Sequence, residues 1–277
     1  MKIAVRARLE YDVTAPASFV FSLAPVVSDR QRVLTETLTC TPEIDVRHLD
    51  DDGNRLLVLS CDPGGLTVGY DAVIALEPFV PAAEPADETA FGDLPVEAYP
   101  YLRPSRYCES DRLARFAMRT FGSVGSGAER VQRICDWVYG HLDYVPGSTD
   151  ASSTALDVFH ASAGVCRDFS HLSIALCRAL GIPARYVSGY AVDLDPPDFH
   201  GFFEAFVGGR WYLFDATQMS AIDRLVRIAT GRDAADVAFA TFTGEAYLTR
   251  LDVSAVAAGE PDPPPGSAPD ATTVSTA

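Results

Sequence analysis

The sequence has very little lysine and an excess of acidic residues, which argues against several classes of binding partner. Lysine occurs once, at Lys2, among 22 basic residues, and the 38 acidic residues bring the net charge to −16. Binding to nucleic-acid phosphates or to an anionic membrane surface needs a basic face, so this balance argues against both partners. A chain with a single lysine also offers almost no amine of its own for self-crosslinking.

Long apolar runs are missing as well. No uninterrupted apolar stretch approaches the roughly 18 residues of a membrane-spanning helix, and MKIAVRARLEYDV at the start lacks the apolar core of a signal peptide. No CxxC pair and no zinc-ribbon spacing occurs among the six cysteines, which are Cys40, Cys61, Cys108, Cys135, Cys166 and Cys177. We therefore expect reduced thiols, no signal peptide or membrane anchor, and a cytoplasmic protein.

The first 80 residues have the pattern of β-strands. Polar and apolar residues alternate, with turn-forming residues between the runs, over Lys2 to Val13, Gln31 to Thr41, Asn54 to Cys61 and Gly69 to Glu77. This predicts a small β-sandwich-like domain over residues 1–80. Residues 81–105 are rich in proline, alanine and acid and predict an extended linker. Residues 254–277 offer little to bury, so we predict a disordered tail that activity does not need.

Residues 106–253 mix helical and strand patterns, which makes the predicted fold class α+β. We expect helices from Ser110 to Arg119, from Ala128 to Tyr144 and from Cys166 to Leu180. Strands are expected over Ala184 to Val192, His200 to Val207, Arg210 to Thr217 and Ala246 to Val253. The dipeptide Gly208-Gly209 suits a two-residue hairpin turn, because glycine tolerates the positive φ of such turns.

Three residues in this region predict nucleophilic chemistry. Cys166 falls at a helix N-terminus, where free N–H groups and the helix dipole stabilise a thiolate. Counting back from the turn places Phe202 opposite Asp215, so His200 and Asp215 are diagonal neighbours about 7–8 Å apart at the backbone. The carboxylate could accept the Nδ1–H of the imidazole and leave Nε2 as the working nitrogen of a general base.

Several runs resemble the transglutaminase-like superfamily, in particular a bacterial branch whose members carry names such as cysteine protease. They are GVCRDFSHL, LGIPARYVSGY, HGFFEAFV and RWYLFDAT, within residues 125–240. The resemblance implies a papain-like catalytic core in which Cys166, His200 and Asp215 form the triad. Two departures stand out. The family often has HAWFE where Gly201 and Phe202 stand here, which could alter the pocket. Arg167 replaces a frequent glutamine, which could favour an acidic substrate group.

Other residues are assigned with alternatives left open. A second oxyanion donor besides the Cys166 N–H is needed; Tyr144 is the favoured candidate, whereas Trp137 fits core packing better. His171 is expected to have a structural role and Cys177 to lie in the core. Cys166, His200 and Asp215 are each competent zinc ligands, but no close ligand pair anchors a site, so we predict no metal.

These residues predict a cysteine-nucleophile hydrolase, a peptidase or amidase that works through a thioester acyl-enzyme and needs no cofactor. The expected partner is a peptide or amide substrate. Transfer of the acyl group to an amine, as in a transglutaminase, is the first alternative, because the chemistry up to the thioester is the same. A non-catalytic scaffold that binds peptides is the second alternative.

Overall fold

The computed structural model describes residues 1–81, 87–259 and 273–277. The helices are α1 (Ser110–Phe121), α2 (Gly127–His141), α3 (Ala155–Ala161) and α4 (Cys166–Ala179). The strands are β1 (Lys2–Val13), β2 (Ala17–Ala24), β3 (Gln31–Thr41), β4 (Arg47–Asp51), β5 (Asn54–Cys61), β6 (Gly64–Leu76), β7 (Asp143–Tyr144), β8 (Ala163–Gly164), β9 (Ala184–Ala191), β10 (Phe199–Val207), β11 (Arg210–Phe214), β12 (Leu225–Gly231), β13 (Ala240–Thr243) and β14 (Ala246–Ala257). The α+β class is confirmed. Within the described residues, no helix is long and apolar enough to cross a membrane.

The N-terminal region forms two facing four-stranded sheets, in the orders β14-β1-β6-β3 and β13-β2-β5-β4. Every second residue of β1 is buried, as the alternating pattern predicts: Ile3, Val5, Ala7, Leu9, Tyr11 and Val13. Tyr11 of the first sheet meets Phe19 of the second with their ring centroids 5.0 Å apart. Apolar faces that interlock in this way are what holds a β-sandwich together.

Two strands of this sandwich come from late in the chain. Strand β14 pairs antiparallel along β1, from Ala246 opposite Val13 to Ala257 opposite Ile3, and β13 pairs with β2. The expectation that Ala246 to Val253 belongs with residues 106–253 is therefore wrong about its partners. Without a partner, the edge of β1 would have backbone groups that make no hydrogen bonds. Strand β14, although distant in sequence, supplies those bonds.

The region that carries the candidate site is built on an antiparallel sheet of order β11-β10-β9-β12, with α4 against it. Gly208 and Gly209 both have positive φ, +57° and +79°, and they close the β10–β11 hairpin. The register pairs Val207 with Arg210 and Phe203 with Phe214, as the count from the turn predicts. This hairpin fixes the histidine and the aspartate of the candidate site relative to each other.

A buried glutamine joins the sandwich to this sheet. The Gln31 side chain donates from Nε2 to the carbonyls of Val26 and Arg227, each at 2.8 Å, and its Oε1 accepts the N–H of Arg227 at 2.9 Å. Gln31 is fully buried, so each of these bonds satisfies a group that water does not reach.

The predicted linker and tail are ordered wherever they are described. Residues 91–93 and 96–102 form 3₁₀ helices, and Leu94 and Ala98 are buried beside Phe206 and Trp211. Residues 82–86 of the linker and 260–272 of the tail lie outside the described residues. The prediction of a disordered tail is wrong for the rest, since residues 254–257 finish β14 and residues 273–276 are buried.

Candidate active site

Cys166 is the first residue of α4 and is half-buried. The turn around it is held by Asp168, whose Oδ2 accepts the Val165 N–H at 2.9 Å and the Thr149 hydroxyl at 2.5 Å. Asp168 is only 1% exposed, so these bonds are made out of contact with water. A side-chain acceptor of this kind satisfies one of the free N–H groups at a helix start and fixes the first turn that carries the thiol.

The Arg167 guanidinium makes hydrogen bonds within the protein. Its Nε and Nη2 donate to Asp168 Oδ1 at 3.1 and 2.9 Å, and Nη2 also donates to the Asp150 carbonyl at 2.8 Å. The guanidinium thus joins the loop around Asp150 to the start of α4, which is the role the structure shows. Selection of an acidic substrate group by Arg167 stays a prediction.

His200 and Asp215 lie together in the interior. Nε2 of His200 and Oδ2 of Asp215 are 2.8 Å apart, and each side chain is 1% exposed. The other carboxylate oxygen accepts the Thr217 N–H at 2.9 Å and the Thr217 hydroxyl at 2.7 Å. Thr217 was missed by the sequence analysis, although an aspartate that bonds the backbone two residues on is a common turn, and the run Asp215-Ala216-Thr217 could have indicated it.

The ring nitrogens have the opposite roles from those expected. Nε2, not Nδ1, faces Asp215, and Nδ1 has no hydrogen-bond partner within the described residues. Cys166 is close enough to the ring to raise the pKa of His200. The Asp215 carboxylate lies just past the end of β11, so the far edge of the ring reaches it. Strand spacing places the two residues but does not determine how the ring is turned.

The environment of His200 favours its protonated form. Burial alone lowers the pKa of His200, but the charge of Asp215 and the hydrogen bonds to Asp215 and Cys166 outweigh it and raise the pKa to about 10. The imidazole therefore carries a proton at neutral pH. A buried imidazolium next to a thiol stabilises a thiolate and can later deliver a proton to a leaving group.

Tyr144 lies beside the cysteine, but on a strand. Helix α2 ends at His141, earlier than expected, because Asp143 and Tyr144 pair in parallel with Ala163 and Gly164. This pairing brings the Tyr144 side chain next to Cys166, whose backbone and thiol both act on the pKa of the tyrosine hydroxyl. Burial, followed by Cys166, raises the pKa of Tyr144 to about 12, so the hydroxyl keeps its proton at neutral pH.

The surroundings of position 201 leave no room for a side chain, which explains why a glycine occupies it. A Cβ at this position would lie 2.3 Å from the Tyr186 hydroxyl and 3.3 Å from the Arg167 Cα. The glycine thus admits a buried tyrosine beneath the start of α4, where a family alanine would collide with it. Phe202 points to the other sheet face, in a small core that includes Val187, Leu213 and Leu225.

The remaining candidates have packing roles. Trp137 stacks on His141 with 4.4 Å between ring centroids and touches Phe116, as expected for core packing. His171 is fully buried, and its Nε2 accepts the Ala234 N–H at 3.1 Å, which confirms its structural role. Cys177 is fully buried in the core, as predicted.

His200 is the site residue that interacts with both of the others. Its Nε2 is bonded to Asp215, and Cys166 also acts on its pKa. Within residues 1–81, 87–259 and 273–277, no three metal-binding side chains converge on one point.

A helix that begins with a cysteine, set against an antiparallel sheet with a buried histidine–aspartate pair, defines the papain-like class of α+β proteins. Comparison of the sequence with protein-family models identifies the family within this class. Residues 114–216 match the model described as the transglutaminase-like superfamily, and residues 1–79 match the bacterial transglutaminase N-terminal domain. The chain belongs to the transglutaminase-like superfamily.

Individual proteins are similar over most of the chain. The crystal structure of a proposed cysteine protease from Cytophaga hutchinsonii is 37% identical, has a TM-score of 0.92, and covers 99% of this chain and 96% of its own. An uncharacterized protein of Mycobacterium leprae is 28% identical over 82% of this chain and 87% of its own length. One of Mycobacterium tuberculosis is 30% identical over 78% and 77%, respectively.

Proposed function

We propose that this protein is a cysteine-nucleophile hydrolase, a peptidase or amidase that forms a thioester acyl-enzyme. The observation that carries the proposal is the buried His200 ring, which is bonded to Asp215 through Nε2 and also interacts with Cys166 at the start of α4. A structural histidine does not need both partners. The similarity to the Cytophaga protein, whose name proposes a cysteine protease, supports the same chemistry.

The proposed reaction begins at the thiol. The Cys166 thiolate attacks the amide carbonyl carbon, and the electron pair of the C=O bond moves to the oxygen. We assign the Cys166 N–H and the Tyr144 hydroxyl as the donors that stabilise that oxyanion, because Tyr144 lies beside Cys166. When the C–N bond breaks, the amine leaves with the proton of His200 Nδ1, and a thioester remains on Cys166.

Deacylation reverses these roles. Nδ1 of the now neutral His200 takes a proton from water, and the resulting hydroxide oxygen attacks the thioester carbonyl. The C–S bond breaks, the thiolate returns to Cys166, and a carboxylic acid is released. Asp215 keeps the ring oriented through both halves of the cycle without itself accepting the proton. An amine in place of water would give acyl transfer by the same steps.

Hydrolysis is the favoured outcome because water is always present and an amine must be specifically bound. The experiment is a screen of the full chain against acyl-amide and peptide libraries, with and without added amines, analysed by mass spectrometry. We expect a free acid from some substrates and no product with Cys166→Ala. An amide product formed in preference to the acid would identify a transglutaminase. Equal product from Cys166→Ala, with its fold checked by circular dichroism, would exclude the nucleophile.

A further inference from the structure

The residues near the C-terminus form an additional extended segment beside the catalytic sheet. Val274 O accepts the Leu213 N–H at 2.7 Å, on the edge of β11 that faces away from β10. On its other side, Ser275 exchanges two backbone bonds with Phe79, at 2.7 and 2.9 Å. Residues 273–276 therefore lie between the catalytic sheet and the chain that leaves the sandwich.

The end of this segment is anchored on a buried charge. The Thr276 carbonyl accepts the Ser28 hydroxyl at 2.8 Å and also accepts from Nη2 of Arg227. Arg227 is itself paired with the fully buried Glu204 at 3.4 Å, and Glu204 accepts from Arg185 at 2.7 Å. Because Glu204 stands four residues after His200 on β10, the anchor is tied to the strand that carries the site histidine.

Burial shows that this contact is part of the core. The four residues are at most 1% exposed: Thr273, Val274, Ser275 and Thr276. Removing them would leave the Leu213 N–H and the Phe79 backbone groups without these partners, and unpaired backbone groups in the interior are costly. Strand β11 is only five residues long, so it has few other bonds to hold it in place.

We propose that residues 273–276 are a positioning strand for Asp215. Leu213, which bonds Val274, stands two residues before Asp215, and β10 holds β11 from the opposite side. The segment thus fixes the free edge of β11 and, through it, the carboxylate that binds His200. The consequence for turnover rests on the proposed hydrolase; the consequence for the His200–Asp215 bond does not.

The test uses two substitutions at one position of the full chain. Ser275→Pro removes the N–H that donates to Phe79. Ser275→Ala keeps that bond and removes only a hydroxyl that has no hydrogen-bond partner among the described residues. Proton NMR then follows the His200 ring N–H bonded to Asp215, which resonates far downfield. We expect this signal in the parent and in Ser275→Ala, and its loss in Ser275→Pro.

Kinetics supply the second readout. Well below each variant's melting temperature, Ser275→Pro should lower kcat by about tenfold to a hundredfold with KM nearly unchanged, as a small misplacement of a catalytic group does. A lowered melting temperature with the downfield signal and kcat at parental levels would overturn the proposal. The NMR arm stands even if the parent hydrolyses no amide, so failure of the proposed function is seen separately.

A truncation covers the case in which Ser275→Pro does not fold. The chain ending at residue 272 should lack the downfield His200 signal and regain it on addition of the peptide TVSTA, the sequence of residues 273–277. The control peptide TVPTA, with proline in place of Ser275, should not restore it. A truncated chain that keeps the signal without peptide would contradict the positioning role.

Discussion

Two buried histidines of the catalytic region differ in what surrounds them. His200 is 2% exposed and His171 is not exposed at all, so both are out of contact with bulk water. The pKa of His200 is nevertheless raised to about 10, whereas the pKa of His171 is lowered well below its ordinary value. His200 therefore holds a charge at neutral pH and His171 does not.

The difference lies in the partners. Burial is the largest effect on both rings and disfavours the charged form in each. At His200 the charge and the hydrogen bond of Asp215, together with Cys166, outweigh it. At His171 the nearby cations Arg167 and Arg178 add to it, and the ring accepts a backbone N–H and stacks on Tyr107. A buried histidine is thus made into an acid–base group by the carboxylate, not by burial.

Asp215→Asn should produce the largest effect, because it removes the carboxylate that distinguishes the surroundings of His200 from those of His171. The amide cannot stabilise the imidazolium, so we expect the His200 pKa to fall and kcat/KM to drop by about 10³–10⁴. Steady-state kinetics measure the drop, and circular dichroism confirms folding. Asp111→Asn, at an exposed site on α1, is the matched control. A parental rate in Asp215→Asn would remove the carboxylate from the mechanism.

Tyr144→Phe tests the proposed oxyanion donor beside Cys166 and should lower the rate less than Asp215→Asn does. The change removes the hydroxyl next to the Cys166 N–H and keeps the ring that packs near Phe169. Loss of one oxyanion donor lowers kcat by about 10² with little change in KM. Tyr139→Phe, on the exposed face of α2, is the control. If both variants turn over like the parent, another group must stabilise the oxyanion.

The smallest expected effects are on the pH dependence of the free energy of unfolding, to which His200 and His171 should contribute in opposite directions. The raised pKa of His200 means that its stabilising contribution is full below roughly pH 6.5 and is lost as the pH rises toward 10. The lowered pKa of His171 means the reverse: its contribution is present above roughly pH 6.5 and is lost as the pH falls.

Urea unfolding from acid to alkaline pH would measure both contributions. Asp215→Asn should flatten the alkaline decline, because the carboxylate that raises the His200 pKa is gone. His171→Gln, which keeps an acceptor for the Ala234 N–H, should flatten the acid decline only, at a cost of about 1 kcal/mol near neutral pH. An unchanged acid slope in His171→Gln would show that the ring does not titrate as its surroundings indicate.

The parts of the site that the sequence predicts are those set by local signals. The helix start at Cys166 and the Gly208-Gly209 turn each depend on a few adjacent residues, and the register that follows brings His200 and Asp215 together. The helix stop after α4 was predicted to within one residue, since Gly181 adopts the left-handed conformation that ends a helix.

What the sequence did not predict depends on contacts between distant segments. The pairing of β14 with β1 joins residues more than 230 positions apart, and Val274 bonds Leu213, which lies 61 positions earlier in the chain. Local composition made the tail look unable to bury anything, yet four small residues suffice when their backbone groups find partners. The ring orientation of His200 likewise follows from the position of a single carboxylate.

Alkylation with iodoacetamide at neutral pH tests the central role of Cys166 without any knowledge of the substrate. Cys40 and Cys61 are half-buried like Cys166 and serve as internal controls; burial raises the pKa of both thiols. Peptide mapping by mass spectrometry gives the rate at each cysteine. We predict that Cys166 reacts far faster than either control and loses this advantage in His200→Ala. A Cys166 that reacts no faster than Cys40 and Cys61 would contradict an activated thiol and favour a non-catalytic scaffold.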